Sequence, residues 1–375
     1  MKIIVTPASF KGSLSAIKAA SIISKAVLKV IPNADVVEVP VSDGGEGLVN
    51  NFLAFFGGER INTTVHDPLM RAIDTYYGIL PDNTAVIEMA SASGLTLLSE
   101  DERNPLITTT YGTGELIINA INRGCKNILI GAGGSATCDC GTGALSAMGI
   151  SFRDSDGVVV EGCGGNLSKI KMIDTSSIDK RILSAKIKII CDVTNPLYGE
   201  NGASKTFAPQ KGAKTDDVLL LDDNLKYFAN LTERHFFIPS INIQHSGAAG
   251  GLAAGLFAFV NAELVNGIEF VLDKIDFKSL IKDSDLIITG EGYLDNQTKF
   301  SKAPYGIAQA AKKQNIKTLM LAGDYDVNSK NLYDDVFDYI YSITELGVSK
   351  NDAIEDAEYY LEQVATKALT KIFNL

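Results

Sequence analysis

Positive charge is scarce in this chain, and so are cysteine, histidine and long apolar runs. Its 375 residues carry 34 Lys and Arg against 45 Asp and Glu, a net charge of −11. A field of that sign argues against binding nucleic acid or an anionic membrane surface. A small anion is still admissible, because a local group of Lys, Arg and backbone N–H groups can reverse the field inside a cleft. Five cysteines (Cys125, Cys138, Cys140, Cys163 and Cys191) are too few and too irregularly spaced for a disulfide framework. The three histidines, His66, His235 and His245, make no metal-binding motif. The longest apolar stretch, Ala248 to Val260, is stopped by Asn261 and falls short of the ~20 residues that cross a bilayer. The amino terminus, MKIIVTP, lacks the apolar region of a secretory signal. These features point to the cytosol.

What remains is ordinary globular composition, 46% hydrophobic and 21% charged. At roughly 100–200 residues per domain the length implies two domains. Short Ile- and Val-rich runs alternate with amphipathic stretches, the pattern of α/β layers. Lys2–Thr6 and Asp35–Val39 read as strands, with a helix over Ser13–Val30 between them and another over Gly45–Phe56. Residues 61–100 alternate instead, with turns at Asp67-Pro68 and Pro81-Asp82-Asn83, and read as antiparallel hairpins. Strands are expected at Asn127–Ile130 and Lys186–Cys191, with a helix near Gly141–Met148. From Asp285 the βα rhythm returns and ends in one helix over Asp352–Phe373. Two parallel strands alone cannot cover their own faces, so the carboxyl-terminal strands are expected to join them in one sheet. The expected organisation is a discontinuous parallel-sheet domain, 1–62 plus 284–375, with a mixed α/β domain, 63–283, inserted into it.

Apolar strands end repeatedly in Gly-rich polar loops: PASFKGS after Thr6, PVSDGGEG after Val39, GAGGSATCDCG after Ile130, DVTNPLYGENGAS after Cys191, GEGYLDNQT after Thr289. Open α/β sheets bind ligands there, where loops meet helix amino termini. Glycine lets backbone amides approach an anion closely, so Gly44, Gly45, Gly133, Gly134, Gly250 and Gly251 are expected to cradle anions. Lys11, Lys211 and Lys302 are candidate cations. Phosphoryl transfer also needs carboxylates to hold Mg²⁺ and to orient the attacking hydroxyl, and Asp43, Asp139, Asp192 and Asp295 are candidates. No GxxxxGK[ST] occurs. The turn Gly131–Ala136 fits a G-x-G-x-x-A dinucleotide fingerprint, but Cys138–Gly143 are poor helix formers where that fingerprint requires a helix. Cys138-Asp139-Cys140 lacks zinc-site spacing and reads as small residues in a turn.

Taken in order, SFKGSLSA (9–16), VSDGGEG (41–47), IEMASASGL (87–95), YGTGELI (111–117), GAGGSAT (131–137), CDVTNPLYGENGAS (191–204), FAPQKGA (207–213), GAAGGL (247–252) and DLIITGEGYLDNQT (285–298) resemble the bacterial glycerate kinases that phosphorylate D-glycerate with ATP. The resemblance implies two α/β domains, one flavodoxin-like and discontinuous, with the active site in the cleft between them. It implies ATP- and Mg²⁺-dependent phosphorylation of D-glycerate. Asp192 is then the first choice for orienting the hydroxyl, Asp295 and Glu291 for the metal or its waters, and Lys11 and Lys211 for phosphates or the substrate carboxylate. Ser13, Asp43, Ser135, Thr137 and Asn195 join the glycines as binding candidates. The chain departs from the family pattern at Ala8, Cys138, Cys140, Tyr293 and Ser301. Those departures keep open a non-catalytic sugar-acid sensor of the same fold, and the GAGGSA turn keeps open a dinucleotide-dependent oxidoreductase. A homodimer is compatible with the sequence.

Overall fold

The computed structural model describes residues 1–294, 302–325, 333 and 335–374. Chain contacts divide it into two compact units, Met1–Asp43 with Gly267–Leu375, and Gly44–Asn266.

The first unit begins with β1 (Lys2–Val5), whose last three residues are buried. Helix α1 (Ala16–Val30) follows; Ser15 caps it by accepting from Lys18 N, and Pro32 lies just past its end. Of the residues expected to open this helix, Ser13 and Leu14 instead belong to a tight turn closed by Phe10 N donating to Leu14 O. After β2 (Asp35–Glu38) the chain leaves this unit.

The second unit opens with α2 (Leu48–Phe56), the antiparallel pair β3 (Glu59–His66) and β4 (Ala72–Ile79), and β5 (Thr84–Glu88), antiparallel to β4. The two expected turns join these strands. Then come β6 (Asn127–Gly131), the hairpin β7 (Ser151–Arg153) and β8 (Met172–Asp174), β9 (Lys186–Cys191) and β10 (Glu263–Asn266). The six-stranded sheet has the order β10-β9-β6-β5-β4-β3, and β5, β6, β9 and β10 run parallel. The carboxyl ends of these four strands therefore share one edge of the sheet.

The chain re-enters the first unit through the helix Gly267–Lys274 and completes its sheet with β11 (Leu286–Leu294), β12 (Lys317–Tyr325) and β13 (Tyr339–Ser342). All pairings are parallel, in the order β2-β1-β11-β12-β13. Counted within the unit this is 2-1-3-4-5, the flavodoxin-like order, with its switch point between β1 and β11. Strand alternation divides the core: Leu319 and Leu321 face α1 and the helix Ala357–Phe373, while Met320 and Ala322 face the helix Ala303–Lys312 and Phe337. The single final helix expected over 352–373 is two, Lys350–Glu355 and Ala357–Phe373, broken at Asp356.

The units divide at 43/44 and 266/267, whereas the sequence placed the boundaries at 62/63 and 283/284. Packing explains the difference. A Cβ on Gly78 of β4 would lie 3.2 Å from Val49 and 3.3 Å from Leu53, so α2 is seated on the second sheet. Likewise a Cβ on Gly306 would lie 2.7 Å from Ile268, so the helix Gly267–Lys274 is seated on the helix Ala303–Lys312 of the first unit. Among the described residues no helix is long and apolar enough to cross a membrane.

Candidate active site

In the second unit the loop after β6 is built by backbone lying on backbone. Gly133 N donates to Gly44 O at 3.1 Å, and a Cβ on Gly133 would stand 2.6 Å from Gly45 Cα. A Cβ on Gly44 would stand 2.5 Å from Ile190 O, next to the end of β9. These glycines are required because nothing larger fits. The Gly133 amide, expected to cradle an anion, already has an acceptor within the protein.

The amino end of α2 is likewise filled. Gly47 N and Val49 N donate to the Glu88 carboxylate at 3.2 and 2.8 Å, satisfying amides that a helix start leaves unpaired. Burial pushes the Glu88 carboxyl above its ordinary range, against the pull of these two bonds. The protein therefore supplies its own acceptor at this helix start, where the VSDGGEG motif suggested a ligand. Glu88 is a residue the sequence reading missed, although an acid ending an apolar strand beside a Gly-rich helix start is the signal it leaves.

Lys211 is 2% exposed, and its ammonium donates to Ser135 Oγ at 2.7 Å and Thr137 O at 2.8 Å. Burial pushes it below the usual lysine range. Expected to meet phosphate or carboxylate, it clamps the loop that carries Ser135 and Thr137. The Thr137 hydroxyl is buried with no hydrogen-bond partner among the described residues, while Gly134 is exposed at the loop's tip in the left-handed region, φ 75°. Asp139 is fully buried and accepts from Thr110 N, Thr110 Oγ1, Gly141 N and Gly143 N at 2.7–3.1 Å. Burial raises its carboxyl and these four donors oppose the rise. Its bond from Gly143 N ties it to the first turn of the helix Thr142–Ala147. No helix forms between β6 and Thr142, so the G-x-G-x-x-A turn lacks the helix start that dinucleotide binding requires.

Asp192 is half-buried directly after β9, at the same sheet edge as the Gly133 loop. Asn195 donates to Asn201 O at 2.7 Å and Thr206 Oγ1 at 3.3 Å, latching its own loop. Gly250 and Gly251 are buried against this assembly. Cys140 N donates to Gly250 O at 3.1 Å, a Cβ on Gly250 would collide with Thr137 O, and one on Gly251 would stand 3.0 Å from Cys140 Cα. Both positions, expected to cradle an anion, are closely packed by backbone. His245 sits in the same segment, with Nδ1 2.7 Å from Val193 O.

In the first unit the switch point holds the Lys11 loop and Glu291. Ala8 N donates to Gly290 O at 2.8 Å, and a Cβ on Gly292 would stand 3.2 Å from Lys11 N, so the loop lies along β11. Lys11 and Ser13 are exposed; Ser13 Oγ donates to Phe10 O at 3.0 Å. Glu291 is 7% exposed, and Lys302 Nζ lies 3.7 Å from its carboxylate. Asp43 is half-buried at the last position of this unit's first segment. Asp295 and Ser301 lie outside the described residues. Tyr293 is 40% exposed with Lys350 Nζ 4.8 Å from its ring centre. Among the described residues no group of three or more His, Cys, Asp or Glu side chains is placed to hold a metal ion.

The candidate residues thus lie on strand-end loops of each unit taken by itself: Gly44, Gly45, Gly133, Gly134, Ser135, Thr137, Asp192, Asn195 and Lys211 in the second, and Lys11, Ser13, Asp43 and Glu291 in the first. The sequence profile of the glycerate kinase family matches residues 3–373, and so spans both. The chain belongs to the glycerate kinase family. It is 43% identical to the glycerate kinase of Bacillus subtilis (strain 168) over 97% of this chain and 96% of that one. It is 42% identical to the glycerate 2-kinase of Escherichia coli (strain K12) over 92% of each. A crystal structure described as glycerate kinase 2 from Salmonella typhimurium LT2 superposes with a TM-score of 0.84 at 38% identity, covering 100% of this chain and 98% of that one.

Proposed function

We propose that this chain catalyses transfer of the γ-phosphoryl group of ATP to a hydroxyl of D-glycerate. The observation that carries the reading is the family match across residues 3–373, which includes both sets of strand-end loops. Phosphoryl transfer asks little covalent chemistry of a protein and a great deal of positioning and charge compensation. Asp192, half-buried at the end of β9, orients the attacking hydroxyl and takes its proton. Lys11 and Lys302 place positive charge at the switch point of the parallel sheet, the usual location of a phosphate ligand in such sheets. Gly134, exposed at its loop tip, offers backbone polar groups to the substrate.

Mg²⁺ carried on nucleotide phosphates needs only one or two protein carboxylates. Glu291, an oxygen donor at the switch point, is chemically suited to hold it or its waters. When bound, the ion neutralises charge on the phosphates. Water must be excluded during transfer, since hydrolysis of ATP competes with it. All five cysteines are buried, unpaired thiols, and we place the reaction in the cytosol on that basis.

ADP release measured across small hydroxy acids tests the proposal. D-glycerate should give the highest kcat/KM. Tight binding of a hydroxy acid with no ADP formed would support the sensor reading instead. By analogy with the E. coli relative, a glycerate 2-kinase, the proposal extends to the 2-hydroxyl. Product consumed by enolase without a mutase would support that, and product requiring the mutase would oppose it.

A further inference from the structure

We propose that His245 is a positioning residue: its ring N–H fixes the carbonyl of Val193 and thereby the backbone that carries Asp192. The inference rests on the reading of Asp192 as the hydroxyl-orienting group.

After β9 the chain has no regular structure until the helix Ala203–Phe207, so something other than a ladder must hold Asp192. Three consecutive carbonyls following it are tethered to one short segment. Val193 O lies 2.7 Å from His245 Nδ1, Thr194 O accepts from His245 N at 3.2 Å, and Asn195 O accepts from Gly247 N at 3.0 Å. The first of these tethers, on the residue adjoining Asp192, is the one made by a side chain. A carbonyl only accepts, so Nδ1 carries a hydrogen.

The segment itself is held stiffly. His245 has φ 69°, and Ala249, Gly250 and Gly251 have φ 53°, 63° and 89°. A left-handed backbone is costly for residues with a Cβ and persists where the surroundings enforce it. Here the surroundings are named: Ser246 Oγ donates to Ile243 O at 2.5 Å, Gly247 lies against Pro196 O, and Gly250 and Gly251 lie against Thr137 and Cys140. Residues 245–251 thus strap the loop bearing Asp192 to the loop bearing Ser135 and Thr137. The cation of Lys211 tightens the second loop from its other side. His245 is the strap's grip on the backbone next to the reacting carboxylate.

The test separates the hydrogen-bond donor from the backbone conformation. Asn, Asp and Gly all accept a left-handed φ, but only Asn puts an N–H where Nδ1 stands. A misplacement of about 1 Å near the chemistry costs on the order of 10²-fold in rate. His245→Gly and His245→Asp are therefore expected to lose about 10²-fold in kcat, with KM for ATP and D-glycerate changed by less than about 3-fold. His245→Asn is expected to keep kcat within about 5-fold of the unsubstituted enzyme. Each variant is assayed below its own melting temperature; should the Gly variant not fold, the isosteric Asn and Asp pair makes the comparison. Unchanged kcat in the Asp variant, or equal losses in the Asn and Asp variants, overturns the proposal. Asp192→Asn run in parallel keeps the two ideas apart. Full activity there removes Asp192 from the chemistry, whereas loss there with indifferent His245 variants removes only the strap's role.

Discussion

Glu88→Ala deletes the carboxylate that receives the first amides of α2. Two donors, Gly47 N and Val49 N, lose their acceptor, and Val49 is 1% exposed, so water does not readily replace it. An orphaned buried amide costs about 1–3 kcal/mol, which gives roughly 2–6 kcal/mol for the pair. Relief of the buried charge offsets part of this, and the net expected loss is about 2–4 kcal/mol. For a unit of this size each kcal/mol moves Tm by about 2–4 °C, so a fall of roughly 5–12 °C is expected by calorimetry. Glu88→Gln sheds the charge but keeps only one of the two acceptor oxygens, since Gly47 N and Val49 N bond to different ones, so its stability should fall between those of the unsubstituted protein and Glu88→Ala. The pH dependence has a definite sign. Because burial raises the folded-state value of Glu88, its contribution is complete below the unfolded value and is lost as pH rises through the folded one. The Gln variant lacks that titration, so its stability should gain on the unsubstituted protein over the same rise in pH. A Tm for Glu88→Ala within about 2 °C of the unsubstituted protein would refute the capping argument.

Three further outcomes follow from the same geometry. Asp192→Asn should lower kcat by at least about 10²-fold without lowering Tm, and near-normal turnover would exclude it from the mechanism. Lys11→Ala, at an exposed position, should raise KM for one of the two anionic substrates and leave stability unchanged; both KM values unmoved would end its assignment. Burial pushes all five thiols above the ordinary cysteine range. A colourless-to-yellow disulfide reagent at pH 8 should therefore titrate none of them quickly in the folded enzyme and all of them in denaturant, and a fast native thiol would contradict the packing around Cys138 and Cys140.

The parts of this molecule that were legible in the sequence are those fixed by local pattern. Apolar runs such as Lys186–Cys191 and the turn at Asp67-Pro68 became strand and hairpin because period and turn chemistry act within a few residues. That the carboxyl-terminal strands join β1 and β2 in one sheet followed from the need of two parallel strands for partners, whereas its flavodoxin-like character came from the family resemblance. Short elements with mixed composition, such as β10 (ELVN), carry too little pattern to be read. The Gly-rich loops do follow the expected strands, but the contacts within them are not written in the local sequence. Whether a glycine amide faces a ligand or another loop, as at Gly133, depends on a partner distant in the chain. Glu88 and Val49 are 39 residues apart, His245 and Val193 52, Lys211 and Ser135 76. A lysine in FAPQKGA looks the same in sequence whether it points to phosphate or into the core, and only the fold decides.

The most direct measurement is ³¹P NMR of the enzyme incubated with ATP, Mg²⁺ and D-glycerate. The account predicts a phosphomonoester signal split by a sugar-acid proton, growing at the same rate as ADP. ADP accompanied only by inorganic phosphate, or no ADP at all, would contradict it.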